Sequence, residues 1–282
     1  MSTVETQIAD LGNDLDTFWT FFGTTLVFWM HAGFSILEAG SIRAKNVQNI
    51  LFKNLIVVTL TTILWWFWGY SFAFGTDYTK GFIGGGTHHA YTVSRLSTSS
   101  WAHWLFQWAF AATAITIISG AMAERIHMGC FLVLVFTFNT IVYPPVAHWV
   151  WDSNGWLNKR GFLDFAGSAV VHTVGGIAAL VGSFMIGRRR GIMGNSSIPL
   201  VVLGTFILWM GWFGFNGASS SIYNKSAVVS RVLVNTTIAS STAGLFTVLL
   251  TYEIFYKTKN LILSRLYTFF VNFEVSNKEA FG

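Results

Sequence analysis

Residues 164–190 read DFAGSAVVHTVGGIAALVGSFMIGRRR, and this stretch decides the fold. From Phe165 to Gly187 it supplies the about 20 apolar residues that a bilayer-spanning helix needs. Three consecutive arginines, Arg188 to Arg190, stop it at a membrane face. Inside lies a histidine, His172. At about 1.5 Å per residue it is expected roughly 12 Å below Asp164, near mid-bilayer. Helical spacing from Asp164 picks out Ser168, His172, Gly175, Ala179 and Gly182, all small or polar. Lipid gives a polar side chain no partner, so such a stripe faces other helices or a cavity. An ionisable side chain at that depth marks a functional site, unless it only bonds across to a neighbouring helix.

The rest of the chain has the same character. Its 282 residues are 53% hydrophobic, 17% aromatic and only 10% charged, with a mean hydropathy of +0.54. Soluble domains carry nearer a quarter charged residues, so the composition describes an integral membrane protein. The net charge of +5 is spread over short loops between apolar segments. That is a topology signal and excludes a clustered nucleic-acid face. The one cysteine, Cys130, sits in an apolar run and implies no disulfide. The N-terminal residues MSTVETQIADLGNDLDTF carry no base before the first apolar stretch, so the first helix is not read as a cleaved signal peptide.

Seven segments are long and apolar enough to span: 18–39, 51–74, 101–123, 128–151, 165–187, 199–218 and 228–255. The fold class is therefore an all-α bundle of about seven transmembrane helices. With the N-terminus outside, eleven of the 17 basic residues fall on the cytoplasmic side and six on the outer side. The acidic N-terminal tail, with Glu5, Asp10, Asp14 and Asp16, agrees. The expected organisation is an outer tail over 1–17, a transmembrane domain over 18–255 and a cytoplasmic tail over 256–282. Within that tail, 261–273 is too short to span and carries Arg265, which suits a helix lying on the inner leaflet. The outer loop 75–100 holds Gly84-Gly85-Gly86 and the adjacent His88 and His89, more often simply solvated than a metal site.

Four segments in register resemble the ammonium transporter family, which comprises the ammonium transporters, methylammonium permeases and Rhesus proteins. They are the opening stretch, GSIRAKN at 40–46, FQWAFAATAITIISGAMAERI at 106–126 and GWFGFNGASS at 211–220. The resemblance runs from about Phe18 to about Phe255 and implies a multi-pass plasma-membrane protein that transports ammonium, with methylammonium as an analogue. It implies no enzyme, no cofactor, no metal and no nucleic-acid partner. For assembly it implies a homotrimer, or a hetero-oligomer with full-length homologues, in the lipid bilayer.

Ammonium cannot enter a low-dielectric interior as a bare charge, because that costs between about 3 and 17 kcal/mol. Aromatic faces can replace water around the cation, or the ion can be deprotonated so that neutral ammonia crosses. The resemblance assigns the first device to an outer vestibule of Phe110, Trp151 and Ser219, with Asp164 close behind. The positions agree, since Trp151 ends one segment, Asp164 opens the next, Ser219 ends the sixth and Phe110 lies two turns into the third. Asp164 is either a helix N-cap or a carboxylate that favours a nearby cation. The cap is preferred, and the family implies an architectural carboxylate. Phe110 and Phe215 match the family's stacked gate, with Phe106 as a weaker companion, and His172 matches the first of its two facing pore histidines. Ordinary packing competes as an explanation, since the chain has 27 phenylalanines. Trp212 and Asn216 read as packing residues and His148 as a structural hydrogen bonder. His31 matches no pore position.

The family has eleven spans, built as two inverted five-helix repeats plus a last helix. This chain matches the first repeat and two helices of the second, without a match to the second pore histidine. A chain truncated after the seventh helix is therefore expected to conduct poorly unless another chain completes the wall. The alternative reading is a non-conducting ammonium-binding sensor or regulatory remnant, though a tail of 27 residues is short for a signalling domain. A retinal protein would need a mid-helix lysine in 228–255, which has none, and no HExxH motif lies in the spans.

Overall fold

The computed structural model describes residues 3–86, 98–189 and 197–252. Seven helices long and apolar enough to cross a membrane run through them. They are α1 (Thr3–Ser41), α2 (Ala44–Phe74), α3 (Thr98–Ala121), α4 (Met128–Trp151), α5 (Ser168–Ile186), α6 (Ile198–Gly217) and α7 (Ile222–Tyr252). The protein is a multi-pass, all-α membrane protein. A two-stranded antiparallel ribbon, β1 (Thr76–Asp77) with β2 (Gly84–Gly85), follows α2, with Thr76 opposite Gly85. The end carrying Trp151 and Ser219 is called outer below, following the charge bias.

α3 is the central helix, with 72% of its apolar window buried, whereas α7 lies at the periphery with 11%. Small residues set the close crossings. A Cβ on Gly23 would stand 2.2 Å from the Ala218 Cβ, and one on Gly204 would stand 2.5 Å from the Leu37 nitrogen. These contacts bring α1 and α6 together along their length. On the other side, Gly175 of α5 faces the Ala114 carbonyl of α3 at 2.7 Å from its virtual Cβ. Side-by-side glycine crossings are the usual way for helices to associate where lipid supplies no hydrophobic drive. Each of α2 and α4 contains a π-helical turn, Trp65–Gly69 and Phe138–Val142. The second precedes Tyr143-Pro144-Pro145, where the missing proline N–H groups would break a regular ladder.

Two elements differ from the sequence reading. α1 begins at Thr3, so nearly all of 1–17, read as a tail, is helical. Asp16 explains part of this, because its carboxylate caps another helix. It accepts hydrogen bonds from Ser221 Oγ (2.6 Å), Ile222 N (2.8 Å) and Tyr223 N (2.9 Å) at the start of α7. The second difference is α5, which starts at Ser168, opens with a π-helical stretch over Ser168–Thr173 and leaves 164–167 outside it. The helical distance from its first residue to His172 is therefore about 6 Å, not the roughly 12 Å expected for a helix beginning at Asp164. His88, His89 and the 261–273 segment lie outside the described residues.

At the inner end the GSIRAKN and AERI motifs meet through Glu124, whose backbone is left-handed (φ 65°). Its carboxylate accepts from Arg43 N (3.2 Å), Arg43 Nε (2.8 Å) and Asn46 Nδ2 (2.5 Å), and Arg189 Nη1 stands 3.6 Å away. Burial alone would raise this acid. The Arg43 and Asn46 hydrogen bonds and the Arg189 charge outweigh it and hold Glu124 below its ordinary value.

Candidate functional site

A cavity of ≈ 280 Å³ opens between the outer ends of α1, α3, α4 and α6. Phe106, Phe110, Trp151 and Ser219 line it, and so do Thr20, His103 and Gln107. Trp151 is the last residue of α4. The next residue, Asp152, turns extended (φ −75°, ψ 139°), which leaves the indole at the helix end. The indole is fixed from the other side, because Trp151 Nε1 donates to the Asp164 carbonyl oxygen at 2.9 Å.

Asp164 itself is buried, and its carboxylate faces its own helix. Oδ1 accepts from Gly167 N (2.8 Å) and Ser168 Oγ (3.3 Å), while Oδ2 accepts from Ala169 N (3.0 Å) and Val170 N (2.8 Å). The first N–H groups of a helix have no partner within it, and one carboxylate takes up two of them here, those of Ala169 and Val170, along with the N–H of Gly167 just before the helix. Gly167 makes the fold-back possible, with φ 99° and a virtual Cβ only 2.8 Å from Val171 Cγ2. A side chain there would be strained twice over.

The floor of the cavity is aromatic. Phe110 and Phe215 stack face to face, with centroids 3.9 Å apart and planes 7° from parallel, and both are 1% exposed. Phe106 leans on Phe110 at 4.5 Å, and Trp151 lies 5.9 Å from it. Phe215 also meets His172, with ring centroids 5.4 Å apart. His172 is buried, and its Nδ1 has no hydrogen-bond partner. An orphaned buried ring nitrogen costs about 1–3 kcal/mol, so a fold that retains one calls for an explanation. Chemically, the arrangement offers aromatic faces at an open cavity, a buried stacked pair, and an unpartnered imidazole nitrogen beside that pair.

Ser219 lines the cavity, but its hydroxyl is engaged, donating to the Phe215 carbonyl oxygen at 2.8 Å. His148 does not line the cavity and makes a 2.9 Å hydrogen bond with the Ala73 carbonyl through Nδ1. Asn216 donates to Thr236 Oγ1 at 2.9 Å and ties α6 to α7. His31 is buried beside Thr116, with Nδ1 3.3 Å from its hydroxyl. Among the described residues no group of three or more His, Cys, Asp or Glu side chains could hold a metal ion.

Sequence reasoning missed His103, Gln107 and Thr20. His103 is held by a 2.9 Å hydrogen bond between Nδ1 and the Tyr70 hydroxyl. Gln107 is buried, and its Oε1 has no partner. A signal for two of them was present. Residues 103, 106, 107 and 110 follow the i, i+3, i+4, i+7 spacing of one helix face. Thr20 had none, because nothing in α1 alone says which face meets this cavity.

Known proteins resemble this chain in sequence, and solved structures resemble it in fold. Ammonium transporter 3 of Dictyostelium discoideum is 41% identical over 247 residues, covering 83% of this chain and 56% of that protein. Ammonium transporter 1 member 3 of Solanum lycopersicum is 40% identical over 269 residues, covering 85% and 57%. Of solved structures, the Sensor Amt Protein superposes with a TM-score of 0.80 at 31% identity, covering 95% of this chain and 70% of that one. Candida albicans Mep2 follows with 0.74 at 30%, covering 88% and 56%. The chain thus spans a little over half the length of the curated relatives it matches. The model of the Ammonium Transporter Family matches residues 18–263, and the chain belongs to that family.

Proposed function

We propose that the protein serves ammonium transport across the membrane it spans, binding its cargo without catalysing covalent change. Ammonium is recruited in the outer cavity by the faces of Phe110 and Trp151, with Ser219 at the rim. Its proton passes to water in the open cavity and travels separately, and neutral ammonia passes the gate of Phe110 and Phe215, flanked by Phe106, to the imidazole of His172. Asp164 holds this architecture from behind and does not touch the cargo. The protein sits in the plasma membrane with its N-terminus outside and its C-terminus in the cytoplasm. The observation that carries the reading is a chain of contacts: Phe110 lines the cavity and stacks on Phe215, and Phe215 in turn touches His172, whose Nδ1 is unpartnered. Desolvating the cation is the dominant cost, and aromatic faces followed by a neutral species are what reduce it.

A second reading, ammonium sensing without conduction, is favoured by the likeness to the Sensor Amt Protein. Uptake of labelled methylammonium into proteoliposomes separates the two. Transport predicts uptake above protein-free vesicles once the further helices of a related transporter are grafted on to complete the wall, reduced by His172→Ala at unchanged protein amount. Binding without uptake would favour sensing, and absence of both would sink both readings.

A further inference from the structure

Away from the stacked rings, the inner ends of α1, α2 and α3 close around one acid. Glu38, about one turn before the end of α1, is 5% exposed. A buried carboxyl in a spanning helix must have either its charge or its proton accounted for by its partners. Asn54 Nδ2 donates to Oε2 at 2.8 Å. Ser119 Oγ stands 2.6 Å from Oε1. The same hydroxyl is also 3.2 Å from Asn54 Oδ1 and 2.8 Å from the Thr116 carbonyl oxygen.

One hydroxyl, with one proton, is thus within hydrogen-bond range of three oxygens. If Glu38 is a carboxylate, all three are acceptors, so one is served and two face the hydroxyl oxygen with lone pairs alone. If Oε1 carries a proton, it donates to Ser119 Oγ, and the Ser119 proton passes on to Thr116 O or Asn54 Oδ1. The 2.6 Å separation suits such an O–H···O bond. Turning the Asn54 amide round does not remove the need, because its Oδ1 then faces Oε2 and calls for a proton there.

The surrounding charges leave the same gap. Lys53 on α2 is the cation that acts on Glu38. Its ammonium instead donates to the Ile126 carbonyl at 3.1 Å and lies 5.6 Å over the Phe131 ring. Among the described residues the ion pairs fall on Glu124 and not on Glu38. α6, on the far side of α1, carries no titratable residue. His103, the titratable residue of α3, is at its outer end, as are Lys225 and Arg231 of α7, and His31 is two turns away on α1 itself. One turn beyond Glu38, Ile42 lines an inner cavity of ≈ 120 Å³, together with Asn46, Asn49, Lys53 and Glu124.

We propose that Glu38 is a proton-binding site, a neutral carboxylic acid locking α1, α2 and α3, whose proton exchanges with water in this inner cavity. On release the electron pair stays on Oε1 and the proton leaves to the cavity, which the ammonium-bearing Lys53 lines. The site is separate from the cation path and does not rest on the transport reading. Infrared spectroscopy of the purified full chain in lipid nanodiscs at neutral pH tests it. The parent should show a protonated-carboxyl C=O stretch that shifts in heavy water and is missing from Glu38→Gln. Because an amide, like the neutral acid, offers an acceptor to Asn54 Nδ2 and a donor to Ser119 Oγ, Glu38→Gln should keep the parent's melting temperature. Ser119→Ala should move the band without abolishing it, which keeps the test decisive if Glu38→Gln fails to fold. A parent without such a band, a band unchanged in Glu38→Gln, or one unmoved in Ser119→Ala would overturn the assignment.

Discussion

Replacing Asp164 with alanine removes the acceptor of three backbone N–H groups, those of Gly167, Ala169 and Val170, and of the Ser168 hydroxyl. Leaving a buried donor unpaired costs about 1–3 kcal/mol. Helix-cap substitutions, about 0.5–2 kcal/mol, mark the lower end for one such site. With three donors affected, the loss should be on the order of 3 kcal/mol, or roughly a hundredfold in the folding equilibrium. Denaturant titration in detergent, followed by tryptophan fluorescence, reads this directly. The Trp151 indole should also become more mobile, since its partner carbonyl belongs to residue 164. Asp164→Asn keeps one acceptor oxygen but turns an NH2 group toward backbone donors, so it should fall between parent and alanine. An alanine variant within about 0.5 kcal/mol of the parent, the range of an ordinary surface change, would refute the capping argument.

Other outcomes follow from the same contacts. Glu124 is held below its ordinary value, so the stability it contributes is present above the usual carboxylate range and is lost as pH falls through its lowered value. Acid titration should release the Arg43–Glu124 contact, seen as faster hydrogen exchange at 43–46, and Glu124→Gln should abolish that pH dependence. Gln107→Leu should weaken methylammonium binding about fivefold, the equivalent of one hydrogen bond of about 1 kcal/mol, if the unpartnered Oε1 faces the cargo; an unchanged affinity would exclude that role. Once the exposed Cys130 has been replaced, cysteines placed in 188–197 should resist impermeant reagents in intact cells. Ready labelling would invert the topology.

Much of the fold was legible because the bilayer imposes length and apolarity on each span. Those two properties located all seven helices, while their ends were decided by contacts the pattern does not contain. The extension of α1 to Thr3 brings Asp16 to the start of α7, 205 residues along the chain from Ser221. No local signal announces that pairing. Likewise the late start of α5 comes from a carboxylate that gathers its own helix's N–H groups behind a left-handed Gly167. In the cavity, Phe110 and Phe215 were recognisable only by motif, since periodicity cannot single out two of 27 phenylalanines. Gln107 and His103 shared a helix face with Phe110 and were overlooked because no motif drew attention to them. The Glu38 network was invisible for a different reason. It depends on which oxygens of three helices converge on Ser119, and that is purely tertiary.

The central claim is that the aromatic cavity binds ammonium, and methylammonium affinity in three alanine variants of the purified protein tests it most directly. Phe110 and Trp151 line the cavity, whereas Phe206 on α6 is 61% exposed on the outside of the bundle. A cation–π contact at a partly desolvated site contributes about 1–2 kcal/mol. Phe110→Ala and Trp151→Ala should therefore each weaken binding by a factor of roughly five to thirty, while Phe206→Ala leaves it within about twofold. Equal losses at all three positions, with equal losses of stability, would mean that the rings only hold the fold together and that ammonium is bound elsewhere.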